Sequence, residues 1–174
     1  MKDEPHGTVD EGQHLASALA GLRDDKAALA DVRLRLVIDG GLPEDRFPLA
    51  VSLDGDGRMA ASFAAATDRQ ERAAPTIDKG ARAAMKPDEL AGLLVAIEPH
   101  QLAEAVPPRI PPDSLIGTLE IDAGGRTHRI VFMADPEQAA EAGQKLPPSL
   151  QKLVARMVAE GEKTVGKSLN GNNR

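Results

Sequence analysis

The chain lacks cysteine, tryptophan and tyrosine, and only three of its 174 residues are phenylalanine. Without cysteine it can form no disulfide, no thiolate metal site and no thiol nucleophile. Its core therefore has to be built from leucine, isoleucine, valine, methionine and alanine. Protein interfaces draw on tryptophan, tyrosine and arginine. Of these three only arginine is present, so loops, backbone groups and aliphatic side chains have to supply the rest of any contact surface.

A concentrated positive charge and a long apolar run are also missing. The formal net charge is −6 with acidic and basic residues intermixed, which disfavours nucleic-acid binding. No run approaches the roughly 20 apolar residues of a membrane span. The polar residues 1–6 are not followed by the apolar region of a signal peptide. These features predict a soluble, cytoplasmic protein with neither a nucleic-acid nor a membrane partner.

The most clearly patterned stretch is Leu115–Ala134, where two strand-like runs flank a glycine pair. Glycine takes the positive φ values of a tight turn, so a pair between such runs predicts a β-hairpin. One register satisfies several cross-strand preferences at once. It places Glu120 opposite Arg129, Leu119 opposite Ile130, and Gly117 opposite Phe132.

Two earlier segments also alternate and predict strands, at residues 32–38 and 47–53. A third strand is expected from Met59, after the turn Asp54–Gly57. A three-residue loop closed by Gly57 is expected to join the last two strands. The expected pairs are Val51 with Met59, Leu49 with Ala61, and Phe47 with Phe63.

Four segments predict helices. Leucines spaced four and three apart predict a short one over residues 15–22. Its packing partner is either the domain, which we favour, or another protein. Proline and acidic residues at positions 87–89 favour a helix start, as do Asp135 and Pro136 for a short helix ending near Gly143. The last helix opens at residues 147–149, carries an apolar stripe, and is expected to end at Gly161.

The pattern as a whole predicts an α+β fold, in which an antiparallel sheet of four to five strands is packed on one face by two to four helices. Residues 1–30 are expected to be a flexible N-terminal segment with a candidate short helix. Residues 31–160 form the single α+β domain. Residues 161–174 are expected to be a disordered tail, and residues 67–82 a long surface loop or insertion.

Candidate chemical groups do not assemble into a catalytic or metal-binding set. The four histidines show no metal-ligand spacing, and His128 is expected on the core side of its strand as a structural residue. Asp54–Gly57 lacks the further ligands of a calcium loop. Glu120 and Asp122 lie two apart on the expected solvent side of the hairpin. We therefore expect no catalytic residues, no metal, no cofactor and no enzymatic activity.

The order of elements resembles the protealysin-inhibitor (emfourin) family. The similarity rests on a strand that runs into a glycine pair at residues 34–41 and on its return strand at 49–54. It also rests on Pro-x-Glu-Leu at 87–90, Gly-Gly-Arg-Thr-His at 124–128 and Leu-Pro-Pro-x-Leu at 146–150. The N-terminal segment, the insertion at 67–82, the short helix at 135–143 and the non-aromatic residues 98–102 depart from the family pattern.

The resemblance implies a small bacterial α+β protein that sterically blocks a thermolysin-like zinc metalloprotease. Loops at the ends of the first hairpins are the candidate contacts: one at residues 40–46, with the turn at 54–57 as a second. The expected partner-binding residues are Gly40, Gly41, Leu42, Glu44 and Arg46. The alternative is a structural or interaction module without inhibitory activity, which binds a partner of unknown identity through the leucines of residues 15–22.

Overall fold

A six-stranded antiparallel sheet forms the centre of the protein in a computed structural model. The structure describes residues 14–40, 49–63, 75–97 and 114–171, with the exception of residues 16 and 145. The strands are β1 (Arg33–Gly40), β2 (Leu49–Asp54), β3 (Arg58–Phe63), β4 (Arg82–Ala83), β5 (Leu115–Ala123) and β6 (Arg126–Met133). Their order across the sheet is β4-β3-β2-β1-β5-β6. The α+β class and the antiparallel sheet are thus confirmed.

The sheet has one strand more than the four to five expected. The additional strand is β4, which pairs with β3 through Arg58–Ala83 and Met59–Arg82. It lies at the end of the charged stretch that was expected to be a loop. A strand of two residues is too short to show an alternating pattern, and this explains why the sequence gives no sign of it.

Helices account for the rest of the regular structure. They are a helical segment at residues 14–20 (described apart from 16), α1 (Lys26–Ala30), α2 (Pro87–Val95), α3 (Pro136–Glu141) and α4 (Pro148–Gly171). Helix α4 packs on β2 and β3, and α2 packs against α4. Within the described residues, no helix has both the length and the apolarity needed to cross a membrane.

The alternation of side chains separates a helix-covered face of the sheet from an outer face. Aliphatic residues and one phenylalanine fill the covered face, and most are inaccessible to solvent. They are Leu34, Leu36, Ile38, Leu49, Val51, Leu53, Met59, Leu119, Ile121, Ile130 and Phe132. The outer face carries Arg33, Arg35, Glu120, Asp122 and Arg129. Burying this face removes its apolar surface from water, which stabilises the fold.

The hairpin of β5 and β6 has the expected register. Gly124 and Gly125 form its turn with φ of +59° and +76°, values that an L side chain rarely adopts. Gly117 lies under the ring of Phe132, and a Cβ at this glycine would overlap the ring. The contact explains why a residue without a side chain occupies this position in the strand.

The register between β2 and β3 differs by two residues from the expected one. The pairs are Leu53 with Met59, Val51 with Ala61, and Leu49 with Phe63. The three-residue loop itself is confirmed. Because Asp54 and Arg58 flank it, the first pair lies one residue later in the sequence on both strands than the expected register assumes. A shift of two residues leaves every side chain on the expected face of the sheet, since side chains alternate with period two.

The domain extends beyond the expected boundaries of residues 31–160 at both ends. Leu15, Leu19, Leu22 and Leu29 are at most 4% exposed and belong to the core, so residues 14–30 are part of the domain. The short helix is confirmed, but its leucines are not available as a partner surface. At the other end, α4 continues past Gly161 to Gly171. Residues 1–13, which were expected to be disordered, lie outside the described part of the chain.

Candidate interaction surfaces

The expected partner-binding segment leaves the sheet at the end of its central strand. Gly40 is the last residue of β1 and pairs with Leu115 of β5. The other four candidates, Gly41, Leu42, Glu44 and Arg46, lie outside the described residues. Strand β1 is paired on both sides as far as Ile38 and with β5 alone at Asp39 and Gly40, so ladder hydrogen bonds hold the backbone up to the start of this segment.

The two expected contact loops lie at opposite ends of the sheet. The segment after Gly40 follows the pair Ile38–Leu49, whereas the turn after Asp54 follows the pair Arg33–Asp54. Five residue steps separate these pairs, or about 17 Å at the usual rise of a strand. The segment at residues 40–46 and the turn at 54–57 therefore begin at opposite ends of the sheet, because antiparallel hairpins place alternate turns at opposite ends.

The turn at residues 54–58 is packed into the protein. A Cβ at Gly55 would overlap the carbonyl oxygen of Leu29, and one at Gly57 would overlap that of Met85. The nitrogen of Gly55 donates to Val32 O at 2.9 Å, and the nitrogen of Ala84 donates to Gly57 O at 2.8 Å. This turn is a structural junction between β2, α1 and the segment before α2, rather than a free contact loop.

The carboxylate of Asp54 serves the same turn. Its Oδ1 accepts hydrogen bonds from the backbone nitrogens of Asp56 at 3.1 Å and Arg58 at 2.9 Å. An aspartate that stabilises its own turn in this way is a common turn-forming device. Among the described residues no cluster of three or more histidines and carboxylates could hold a metal ion.

One end of the sheet, which we call the loop end, is marked by Gly40, Phe63 and Leu115. The register connects them, because Gly40 pairs with Leu115 and Leu49 pairs with Phe63. Phe63 is 43% exposed and is the exposed large apolar side chain of the described residues. An exposed aromatic ring at the end of a rigid sheet has the character of an interface anchor.

Two of the four histidines meet on the covered face. His14 and His128 stack with ring centroids 5.9 Å apart and an interplanar angle of 23°. His128 lies opposite Ile121 and is 8% exposed, so its predicted core-facing position is confirmed. His14 attaches the N-terminal helical segment to β6. Its position in contact with the hairpin could not be inferred from spacing, because the two histidines are far apart in the sequence.

Glu120 and Asp122 form ion pairs with a neighbouring strand. Arg35 of β1 lies 3.0 Å from Asp122 and 3.9 Å from Glu120, measured from Nη1 to the carboxylate oxygens. The hydroxyl of Thr127 also donates to Asp122. The expected register of Glu120 with Arg129 is confirmed, but the ion pairs go to the other side of β5. Two partly exposed carboxylates that share one guanidinium match a solvated face.

A charged cluster that the sequence analysis missed surrounds Glu160 of α4. The Glu160 side chain is only 5% exposed. Its carboxylate contacts the guanidinium of Arg82, Lys163 Nζ at 3.0 Å and Arg156 Nη1 at 3.3 Å. Arg156 also reaches Glu89 of α2 at 3.4 Å. The cluster thereby connects β4, α2 and α4.

The positive charges determine the ionisation of this carboxyl. Burial alone opposes the charged form and would raise the pKa of Glu160. The hydrogen bond from Lys163 and the charges of Arg82, Lys163 and Arg156 act in the opposite direction and outweigh burial, so the pKa of Glu160 lies below its usual value. A carboxylate held ionised by three cations is a structural element rather than a proton carrier.

Comparisons of the chain with protein-family models, with curated proteins and with solved structures find no match.

Proposed function

We propose that this protein is a non-catalytic binding protein that inhibits a thermolysin-like metalloprotease by steric blockade, with the loop end of the sheet as its contact surface. The resemblance of the element order to the emfourin family motivates the choice of partner. The observation that carries the choice of surface is the exposure of Phe63 at the same end of the sheet as Gly40.

The sheet supports such a role mechanically. An inhibitor that acts by occupying a cleft binds tightly when its contact segment is held rigidly, because less conformational entropy is lost on binding. The segment at residues 40–46 starts from the central strand β1, and Phe63 ends β3, two strands away. A protease that meets this end would contact both without any rearrangement of the sheet.

A direct test measures the activity of thermolysin and of several related metalloproteases with the full-length protein in excess. We expect inhibition that rises with protein concentration. Phe63→Ala removes the exposed ring without disturbing the core, and we expect it to raise the inhibition constant by about 30-fold, the effect of a typical interface anchor worth about 2 kcal/mol.

The matched control is Asp56→Ala, because Asp56 is exposed at the opposite end of the sheet. This variant should inhibit like the unmodified chain. Full activity of every protease tested would overturn the inhibitor proposal and leave the interaction module without inhibitory activity. Equal loss of inhibition in both variants would show that the loop end is not the contact surface.

A further inference from the structure

Among the described residues, the last strand of the sheet has one long edge without a pairing strand. Strand β6 pairs with β5 on one side only. The other edge strand, β4, has two residues, and its Arg82 is held by Glu160. Edge strands expose backbone donors and acceptors that can pair with another chain. Of the two edges in the described sheet, only the β6 edge is long enough to bind an extended segment.

The direction of the free backbone groups follows from one hydrogen bond. Ala134 N donates to Leu115 O at 2.8 Å. Antiparallel ladders alternate between residue pairs that exchange hydrogen bonds and pairs that do not. Because the register of β5 and β6 is unbroken, every second residue of β6 from Ala134 backwards points its backbone groups towards β5. The intervening residues Thr127, Arg129, Val131 and Met133 point theirs outward.

A hydrogen bond of Met133 independently confirms which residues of β6 point their backbone groups outward. The Met133 nitrogen donates outward to Gln144 Oε1 at 2.8 Å, so the chain caps its own edge at this position. No described group hydrogen-bonds to the outward backbone groups of Thr127, Arg129 or Val131. Thr127 and Arg129 are exposed and Val131 is half-buried. The open part of the edge is therefore the five-residue stretch from Thr127 to Val131.

The side chains of this edge carry positive charge, which favours a negatively charged partner. Strand β6 contains two arginines and no acidic residue. Arg126 projects from the covered face and Arg129 from the outer face. Both are exposed, and neither forms an ion pair with a described carboxylate. Two copies of the chain paired through β6 would bring together two arginines from each edge without adding a carboxylate. Charge complementarity therefore favours a different partner.

We propose that the β6 edge binds an extended acidic segment of a partner protein by adding it as a seventh strand. The backbone groups of Thr127, Arg129 and Val131 form the ladder. Because Arg126 and Arg129 are three residues apart and on opposite faces, the segment needs two carboxylates three positions apart, one on each face. This mode of recognition gives affinity through the main chain and specificity through alternate side chains.

The experiment uses the full-length protein with a blocked heptapeptide of valine and threonine that carries two glutamates three positions apart. The comparison peptide has lysine in place of both glutamates. We expect the acidic peptide to bind at least about tenfold more tightly at low salt, and less tightly as salt screens the charges. Amide hydrogen exchange should slow at Thr127, Arg129 and Val131. Equal affinity of the two peptides, or protection elsewhere, overturns the proposal.

A pair of variants isolates the backbone contribution. Val131→Pro removes one outward N–H while leaving the hydrogen bonds to β5, and Val131→Ala retains that N–H. We expect the proline variant to bind the acidic peptide about tenfold more weakly than the alanine variant, as for loss of one hydrogen bond. If the proline variant does not fold, the amide hydrogen-exchange pattern of the unmodified chain with the acidic peptide tests the proposal instead. A concentration-dependent dimer that protects the same amides without peptide overturns the proposal in favour of self-pairing.

Discussion

Gly161 of α4 faces Val51 of β2 so closely that a Cβ on the glycine would lie 2.7 Å from Val51 Cγ2. Leu49 and Ala61 are the next neighbours of that position, at 3.7 and 3.8 Å. The glycine thus allows the helix to approach the centre of the sheet. In the middle of a helix glycine costs roughly 1 kcal/mol relative to alanine. Here that cost is offset by the close packing of the helix on β2.

The close contact predicts opposite effects for two glycines of the same helix. Gly161→Ala should lower the free energy of unfolding by about 1–3 kcal/mol, because Val51 is fully buried and has no room to move. Gly166 has no atom within 4 Å of a built Cβ, so Gly166→Ala should raise the free energy of unfolding by about 0.5–1 kcal/mol. Chemical denaturation of both variants measures the two values. Stabilisation by Gly161→Ala would refute the packing explanation.

Removing the charge of Glu160 should destabilise the protein. Glu160→Gln leaves Arg82, Arg156 and Lys163 without their shared counterion. Because Arg156 and Lys163 are solvent-exposed and Arg82 is partly covered, we expect a loss of about 1–2 kcal/mol. Glu162 is exposed on the same helix, and Glu162→Gln should change stability by less than about 0.5 kcal/mol. Thermal melts of both variants at neutral pH test this difference.

The same carboxyl predicts a dependence on pH. The pKa of Glu160 is lower in the folded protein than its ordinary value of 4.5. Its contribution to stability is therefore complete above about pH 4.5 and is lost as the pH falls through the folded-state pKa. The difference in unfolding free energy between the unmodified chain and Glu160→Gln should shrink over that range of pH. A difference that stays constant down to the acid transition would contradict this assignment.

The pair Gly117 and Phe132 predicts a measurable coupling. Gly117→Ala places a methyl group in the space of the ring, and we expect it to cost about 1–3 kcal/mol. Phe132→Leu removes that overlap. The double variant should therefore be less destabilised than the sum of the two single variants, by 0.5 kcal/mol or more. Additive effects in a denaturation cycle would show that the ring moves aside freely.

The junction at residues 54–58 predicts a large effect for a small change. Gly55→Ala forces a methyl group onto the carbonyl oxygen of Leu29, which is backbone and cannot rotate away. We expect a loss of more than about 3 kcal/mol. Gly21 lies in a turn with open space around a built Cβ, so Gly21→Ala is the matched control and should be close to neutral. The fraction of each variant recovered in soluble, folded form is the first readout.

Local patterns predicted the parts of the fold that depend on neighbours in the sequence. The hairpin of β5 and β6 combines alternation with a glycine pair that takes positive φ, so its register followed from the sequence alone. The N-cap at Asp135 was also predicted from the sequence. Its side chain accepts hydrogen bonds from Glu137 N and Gln138 N. In both cases the determining contacts lie within a few residues of each other.

The errors arose where distant parts of the chain meet. Glycine usually breaks a helix, so Gly161 was expected to end α4, and only its contact with Val51 explains why it does not. The Glu160 cluster depends on Arg82, 78 residues away, although the spacing to Arg156 and Lys163 on one helix could have suggested it. The proposed contact residues Gly41, Leu42, Glu44 and Arg46 stay predictions, because they lie outside the described residues.

The close packing of the turn at residues 54–58 also limits how this chain can be lengthened. Hairpin turns are the usual places for epitope tags, grafted loops and insertions during evolution, because they lie at the surface. Here the turn contacts the backbone of Leu29 on one side and Met85 on the other, so an inserted residue would separate three segments at once. Gly125, in the other turn at this end of the sheet, has open space around it. Insertions should be tolerated there, and an engineered label belongs at that position.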